Sequence, residues 1–376
     1  MDIAIIGAGP AGLYAASLLA KAGHKVTVYE EHATIGKPIQ CTGLVTDVIF
    51  DYLPDLRRTK AIINVISKIR VHTRSQSLCV GADEYVLDRT LYDQYIGRLA
   101  HKAGAKILTN HRFMGWVQGK CHIKTKEKTI TISPDILIGA DGPASKVSRT
   151  FFAHNHLACY KGVQIVARQS TNAAIYDTYV GDDVPRFFGW YVPESNTHVR
   201  VGLATKKHTE QYFTSLLKRL KITTNDIISK QAGLIPVFNP KLQWYKKKQA
   251  MRIYLLGDAA GQIKSTTGGG LIPQLRCTHR LVNAIEQEMG YAPHPVADRE
   301  LYAHLIVRHT LDRFHESQYN QLINHFNKPR LKNTLAQISR DNSVLLMLTM
   351  LCKDPTLLRY SPRFAKELWM LRSKSL

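Results

Sequence analysis

The chain has 376 residues, 44% of them hydrophobic, with 24 Gly and 15 Pro. That composition excludes a disordered, collagen-like or coiled-coil protein and leaves one large domain with insertions or two to three domains. Lys and Arg number 51 against 29 Asp and Glu, a net charge of +22 that attracts polyanions: an anionic membrane face, a phosphorylated substrate or nucleic acid. The basic residues are scattered and no aromatic-interleaved recognition motif occurs, which argues against nucleic acid as the partner.

In chain order, Ile3 to Ile6 is a short apolar run that predicts a strand. Gly7 to Gly12 is a turn, and Leu13 to Ala22 is an Ala/Leu-rich helix stopped by Gly23. His24 to Glu30 alternates around Val26 and Val28 and predicts the second parallel strand. Between about 60 and 88 the texture changes to β-branched and polar alternation (Ile66, Ile69, Val71, Val86, Leu87), which predicts antiparallel strands of another layer. Leu91, Tyr95, Leu99 and Ala103 share one face of a helix from Arg89, ended by Gly104. Asp135 to Gly139 is an apolar strand running into Ala140-Asp141-Gly142-Pro143. Residues 155–250 read as strand-rich. A buried-type strand, Ile253 to Leu256, then enters Gly257-Asp258-Ala259-Ala260-Gly261, and a helix runs from Leu271 to about Glu288. From 291 to 376 the periodicity is helical, with Ser361-Pro362 opening a last helix that carries Phe364, Leu368 and Leu371.

The six cysteines lie far apart, with no CxxC pair, and the sixteen histidines form no cluster at metal spacing, so no metal is expected. The late histidines, His304, His309, His315 and His325, read as solvated. Residues 1–20 lack the basic start of a signal peptide, and Val344 to Cys352 is too short an apolar stretch to span a bilayer. A reducing, cytoplasmic setting is expected. The basic excess after residue 301, beside the apolar run Val344 to Leu351, suggests a surface that docks on anionic lipid headgroups.

The strongest chemical signal is Gly7-Ala8-Gly9-Pro10-Ala11-Gly12 between strand and helix, followed by Glu30 at the end of the next strand. The first glycine permits a tight turn, the second lets the backbone approach a pyrophosphate, and the third lets helix and strand pack closely. The helix amino end offers N–H groups to phosphates, and Glu30 can accept hydrogen bonds from a ribose. Such an element serves FAD or NAD. Gly257-Asp258-Ala259-Ala260 followed by Gly268-Gly269-Gly270 separates them, because backbone N–H groups brought close by glycines suit an isoalloxazine carbonyl or ribityl phosphate, and Asp258 suits ribityl hydroxyls.

Together with Ala140-Asp141-Gly142, these segments resemble the three fingerprints of FAD-dependent oxidoreductases related to aromatic hydroxylases, and Arg89 matches that superfamily's cofactor-contacting arginine. Within the group, Ile35 to Leu44, with Cys41 and Thr42, and Phe188-Gly189-Trp190-Tyr191-Val192-Pro193 resemble two motifs of the geranylgeranyl reductase family. The second motif departs from aromatic-x-Trp-x-Phe-Pro at Val192, and the helix after the glycines carries Pro273 and Arg276 where small residues are usual. The resemblance covers about 290 residues. It implies an α/β protein with a discontinuous Rossmann-like FAD-binding domain (1–60, 88–150 and 250–290), an inserted antiparallel β-rich substrate domain (61–87 and 151–249) and a helical C-terminal region (291–376).

For the cofactor, the resemblance implies contacts from Gly7, Gly9, Pro10, Ala11, Gly12, Glu30, Glu31, Cys41, Thr42, Arg89, Asp141, Gly142, Gly257, Asp258, Gly269, Gly270 and Leu271. For chemistry it implies Cys41, Trp190 and Tyr191. Adjacent strand residues point to opposite faces, so one of Trp190 and Tyr191 should face the pocket, and Trp190 is favoured as its wall. The implied activity is saturation of C=C bonds in a polyprenyl lipid by hydride from reduced flavin. Reducing equivalents would come transiently from NAD(P)H or a small electron carrier, since no second GxGxxG occurs in a strand-helix frame. The alternatives are a flavin monooxygenase or halogenase, although halogenase lysine and tryptophan motifs are not found, and a flavin-containing binding protein at a membrane surface.

Overall fold

The computed structural model describes residues 1–287 and 299–327. The expected last helix, opening at Ser361-Pro362, and the apolar run Val344 to Leu351 lie outside these residues. The chain opens with β1 (Asp2–Ile6), α1 (Pro10–Lys21) and β2 (Lys25–Tyr29), and continues with β3 (Leu44–Thr46), the short α2 (Ile49–Tyr52), β4 (Ile62–His72), β5 (Ser77–Leu87) and α3 (Arg89–Lys102). Asp88 starts α3 by accepting the Leu91 N–H at 3.0 Å. Next come β6 (Lys106–Leu108), β7 (Arg112–Val117), β8 (Lys120–Lys124), β9 (Thr129–Ile132), β10 (Ile136–Gly139) and α4 (Lys146–Phe151). The strand-rich middle holds β11 (Cys159–Arg168), β12 (Ile175–Tyr179), β13 (Gly189–Pro193), β14 (His198–Thr205), α5 (Thr209–Arg219) and β15 (Ile227–Pro236). The described chain ends with β16 (Tyr245–Lys248), β17 (Met251–Leu255), α6 (Leu271–Glu286), α7 (Arg299–Leu311) and α8 (Glu316–Phe326).

A six-stranded sheet in the order β16-β17-β10-β1-β2-β6 is parallel except for the edge strand β16. In its central strands Ile3, Ile5, Val28, Ile136, Leu137 and Ile138 are fully buried, the continuous apolar run expected of strands covered on both faces. On one side α1 packs against α3 and α6. Pro273 falls in the first turn of α6, where a missing N–H breaks no intrahelical bond, so the helix tolerates it.

An eight-stranded sheet in the order β15-β11-β14-β13-β12-β4-β5-β3 is antiparallel except for the β4–β12 pair. Both of its faces are covered. Val163, Ile165, Tyr191, Val199, Val201 and Leu203 pack with Phe213 and Leu216 of α5 on one, while Ile66, Val86, Phe187, Trp190 and Val192 form a second cluster.

The sheets refine the boundaries drawn from sequence. Leu44–Thr46, inside the expected 1–60 segment, pairs with β5 in the eight-stranded sheet, whereas Tyr245–Lys248, inside the expected 151–249 segment, is an edge of the six-stranded one. Residues 112–132 form a separate three-stranded meander. His304 is also corrected: it is 4% exposed, and burial pushes its imidazole down to about 3, so it is neutral and interior where solvation was expected.

Candidate functional site

A cavity of about 660 Å³ opens at the carboxyl ends of the parallel strands, the crevice where open α/β sheets take ligands. The three glycines of the first turn serve it differently. Gly7 has φ +103°, and a Cβ there would lie 2.4 Å from the Ala140 carbonyl oxygen; a Cβ on Gly12 would lie 2.1 Å from the Gly7 oxygen. These two allow the turn and its packing against β10 and α1. A Cβ on Gly9 would meet nothing within 4 Å, because that side of the backbone faces the cavity. Gly9 is also the N-cap of α1 and offers no side-chain cap, so the first-turn N–H groups and the positive helix end point outward unsatisfied.

Around this cradle, Pro10, Ala11, Glu30, Glu31, Arg89 and Gly142 all line the cavity. Glu30 accepts the Ala8 N–H at 2.7 Å through Oε2 and both the N–H and the ring of His32 through Oε1. Glu31 pairs with Arg112 at 3.2 Å, and Lys37, Arg112, Lys146 and Arg149 give the rim its positive charge. Arg89 is held by two bonds to Asp93, at 3.1 and 3.0 Å. Asp258 accepts the Gln274 amide at 2.6 Å, and burial pushes its carboxyl up to about 6 against the opposing field of Arg89.

Asp141 also lines this cavity, whereas Gly257 does not. The Asp141 carboxylate accepts from the Ser145 hydroxyl (2.6 Å) and the Lys146 and Val147 N–H groups (2.7 and 3.0 Å), which anchors the start of α4. Gly257 lies off the cavity, and a Cβ there would sit 2.9 Å from Ala11 Cβ, so it is a packing glycine.

A second cavity, of about 350 Å³, lies against the inner face of the eight-stranded sheet, walled by Leu44, Tyr176, Phe187, Phe188, Trp190 and Val192. Gly269 and Thr42 line this one, and not the first. Gln40, Cys41, Ile235, Gly268, Gly270 and Leu271 line both. Cys41 therefore stands in the partition, its Sγ accepting the Gly43 N–H at 3.3 Å.

The partition is fixed from below. Arg200, 6% exposed, donates to the Thr42 carbonyl, to the Leu87 carbonyl at 2.9 Å and to Glu194 at 2.6 Å. Gln164 Oε1 accepts from both Thr42 Oγ1 and Trp190 Nε1, each at 2.7 Å. Gly202 opposes Trp190 across the strands, and a Cβ there would lie 2.5 Å from the indole, so only glycine lets the ring lie flat on the sheet.

Trp190 thus forms cavity wall. Tyr191 does not: it points to the other face, 8% exposed among Val199, Val201 and α5, and its expected catalytic role is corrected to a packing one. Sequence reasoning missed Gln164, Arg200, Glu84, Thr46 and Lys264. The legible signal for Glu84 was its position two residues before the buried Val86, which puts an acid on the inward face of β5. Among the described residues no group of His, Cys, Asp and Glu could hold a metal ion.

The uncapped helix end, the open Gly9, the basic rim and the buried Asp258 fit an anionic dinucleotide carrying a flavin. A family model described as FAD binding domain matches residues 1–271. Digeranylgeranylglycerophospholipid reductase 1 of Methanococcoides burtonii is 28% identical over 294 residues, covering 72% of this chain and 70% of the relative. Geranylgeranyl diphosphate reductase of Synechocystis is 27% identical over 302 residues, covering 72% of each. The crystal structure of a geranylgeranyl bacteriochlorophyll reductase-like protein from Thermoplasma acidophilum shares the fold, with a TM-score of 0.82 at 21% identity over 98% of both chains.

Proposed function

The chain belongs to the FAD-binding domain family and is an FAD-dependent oxidoreductase, and from that premise we propose that it saturates C=C bonds of a prenyl lipid. The dinucleotide would occupy the first cavity and the prenyl chain the second. On this reading the six-stranded sheet with its helices is the cofactor domain and the eight-stranded sheet the substrate domain. The observation that carries it is the partition: Gly268, Gly270 and Leu271, with the thiol of Cys41, face a polar, basic-rimmed crevice on one side and an aromatic chamber on the other. The names of the relatives support a prenyl substrate.

When bound and reduced, the flavin supplies a hydride. The chain's own residues do the rest. Gly9 and the α1 amino end would seat the phosphates, and Glu30 and Asp258 would accept hydrogen bonds from ribose and ribityl hydroxyls. The aromatic wall excludes water and holds an alkene flat. An isolated trisubstituted alkene accepts hydride only as positive charge develops at its more substituted carbon, and the Trp190 face, oriented by Gln164, stabilises that charge. Cys41, which lines both cavities, would hold the proton delivered to the other carbon. NAD(P)H or a small electron carrier would act as a transient reductant.

No helix among the described residues is long and apolar enough to cross a membrane. The net charge of +22 supports peripheral docking on anionic lipid.

The test is anaerobic incubation of the reduced protein with a polyprenyl substrate, analysed by mass spectrometry. Products heavier by two hydrogens per bond support the reading. An oxygen-dependent product instead establishes a monooxygenase or halogenase. Absence of turnover with salt-sensitive binding to anionic liposomes establishes a binding protein.

A further inference from the structure

The second cavity is mostly apolar, with polar groups at the partition (Gln40, Thr42, Gln164) and others where β3 meets β5. There Glu84 of β5 and Thr46 of β3, partners across the strand pair, both line it. The Thr46 hydroxyl is buried and has no hydrogen-bond partner among the described residues. The Glu84 carboxyl likewise accepts and donates no hydrogen bond among them. One cation, Lys264, acts on it, and Lys264 is already tied to Glu300 at 3.0 Å. Burial pushes the Glu84 carboxyl up to about 7, so a large share of it is the neutral acid near neutrality. A buried hydroxyl without a partner, beside a carboxyl that faces a mostly apolar chamber, costs free energy unless something binds there to use it.

We infer that Glu84 and Thr46 recognise the uncharged oxygen of a prenyl alcohol and so determine which prenyl compounds the chamber accepts. This rests on the prenyl reading and narrows it. A hydroxyl can donate to one of the two groups and accept from the other, which satisfies all three. A diphosphate fits worse: it would bring several negative charges to a carboxyl and to a lysine whose charge Glu300 has already drawn, while His304, also in the cavity wall, stays neutral. The Leu87 N–H bonds the Gly43 carbonyl at 2.8 Å beside the partition, and Glu84 lies three residues back along β5, about 10 Å at the usual strand rise. An alcohol anchored at Glu84 therefore lays its chain toward the partition, with the reacting bond remote from the oxygen.

The test is equilibrium binding to the FAD-loaded full chain of three probes of similar length: geranylgeraniol, geranylgeranyl diphosphate and an oxygen-free polyprenyl hydrocarbon. Wild type should bind the alcohol on the order of tenfold more tightly than either of the others. Glu84→Leu should lose about that factor for the alcohol and leave the hydrocarbon unchanged, whereas Glu84→Gln, which keeps a donor and an acceptor, should stay within about threefold of wild type. Equal alcohol affinity in wild type and Glu84→Leu, both yellow with FAD, would overturn the assignment while leaving the prenyl chamber standing. So would tighter binding of the diphosphate than of the alcohol by wild type. If no probe binds wild type at all, the prenyl reading itself fails and takes this one with it.

Discussion

Gly9 and Gly12 are glycines for opposite reasons, and substitution separates them. A Cβ on Gly9 points into the crevice without touching protein, so Gly9→Trp should fold and yet emerge colourless, its indole occupying the place of the phosphates. Stoichiometric FAD in that variant, read from the absorbance of the purified protein, would refute the loop assignment. A Cβ on Gly12 meets the Gly7 carbonyl, so substitution there damages the turn itself. Trp190 and Tyr191 form a second contrasting pair. Trp190→Ala should retain FAD and lower turnover at least tenfold by removing the wall that Gln164 orients, while Tyr191→Phe, on the far face, should leave kcat and KM within about twofold. Steady-state kinetics of the two variants decide this. The glycine loop was legible because its backbone demands admit few other residues. The alternation of Trp190 and Tyr191 favoured Trp190 as the wall, but the reason lay outside the motif: α5, further along the chain, covers the Tyr191 face and leaves the other to the cavity.

At the scale of elements, β5 shows how a strand can be read correctly and its chemistry overlooked. Its alternation beside β4 predicts the hairpin, but Glu84, directly after the exposed Asp83, reads as a solvated residue until the chamber is seen in front of it. The carboxyl's folded pKa, about 7, lies above its ordinary 4.5, so Glu84 favours the native state below pH 4.5 and that contribution fades as pH rises through 7. The groups facing it are Lys264 and Tyr176, with His304 neutral across this range. Replacing the acid by Glu84→Gln removes the penalty, and its stability relative to wild type should increase by about 2–3 kcal/mol between pH 4.5 and pH 8. Denaturant midpoints at the two pH values measure this, and a flat difference would mean that the carboxyl is solvated. The three-residue β3 was the element least readable in advance. Leu44–Thr46 is too short for periodicity to speak, and its membership of the eight-stranded sheet is set by pairing with β5 and by the Arg200 anchor beneath Thr42.

Over the whole molecule, the interleaving of the two sheets follows from the order of segments: the chain leaves the six-stranded sheet after β2, returns for β6 and β10, leaves again at β11 and returns at β16. The order of elements and the family resemblance foretold an α/β frame with an insertion, while the exact crossing points at residues 44 and 245 depended on tertiary pairing. The net charge of +22 is a property of the entire surface, so membrane attraction should weaken with salt, as cosedimentation with anionic vesicles would record. The thin wall from Gly268 to Leu271 carries one more implication. A colourless guest on one side of it leans on the same backbone that cradles a pigment on the other, so filling the aromatic chamber should perturb the yellow chromophore's absorption. The protein would then report its own occupancy as a difference spectrum, without a label.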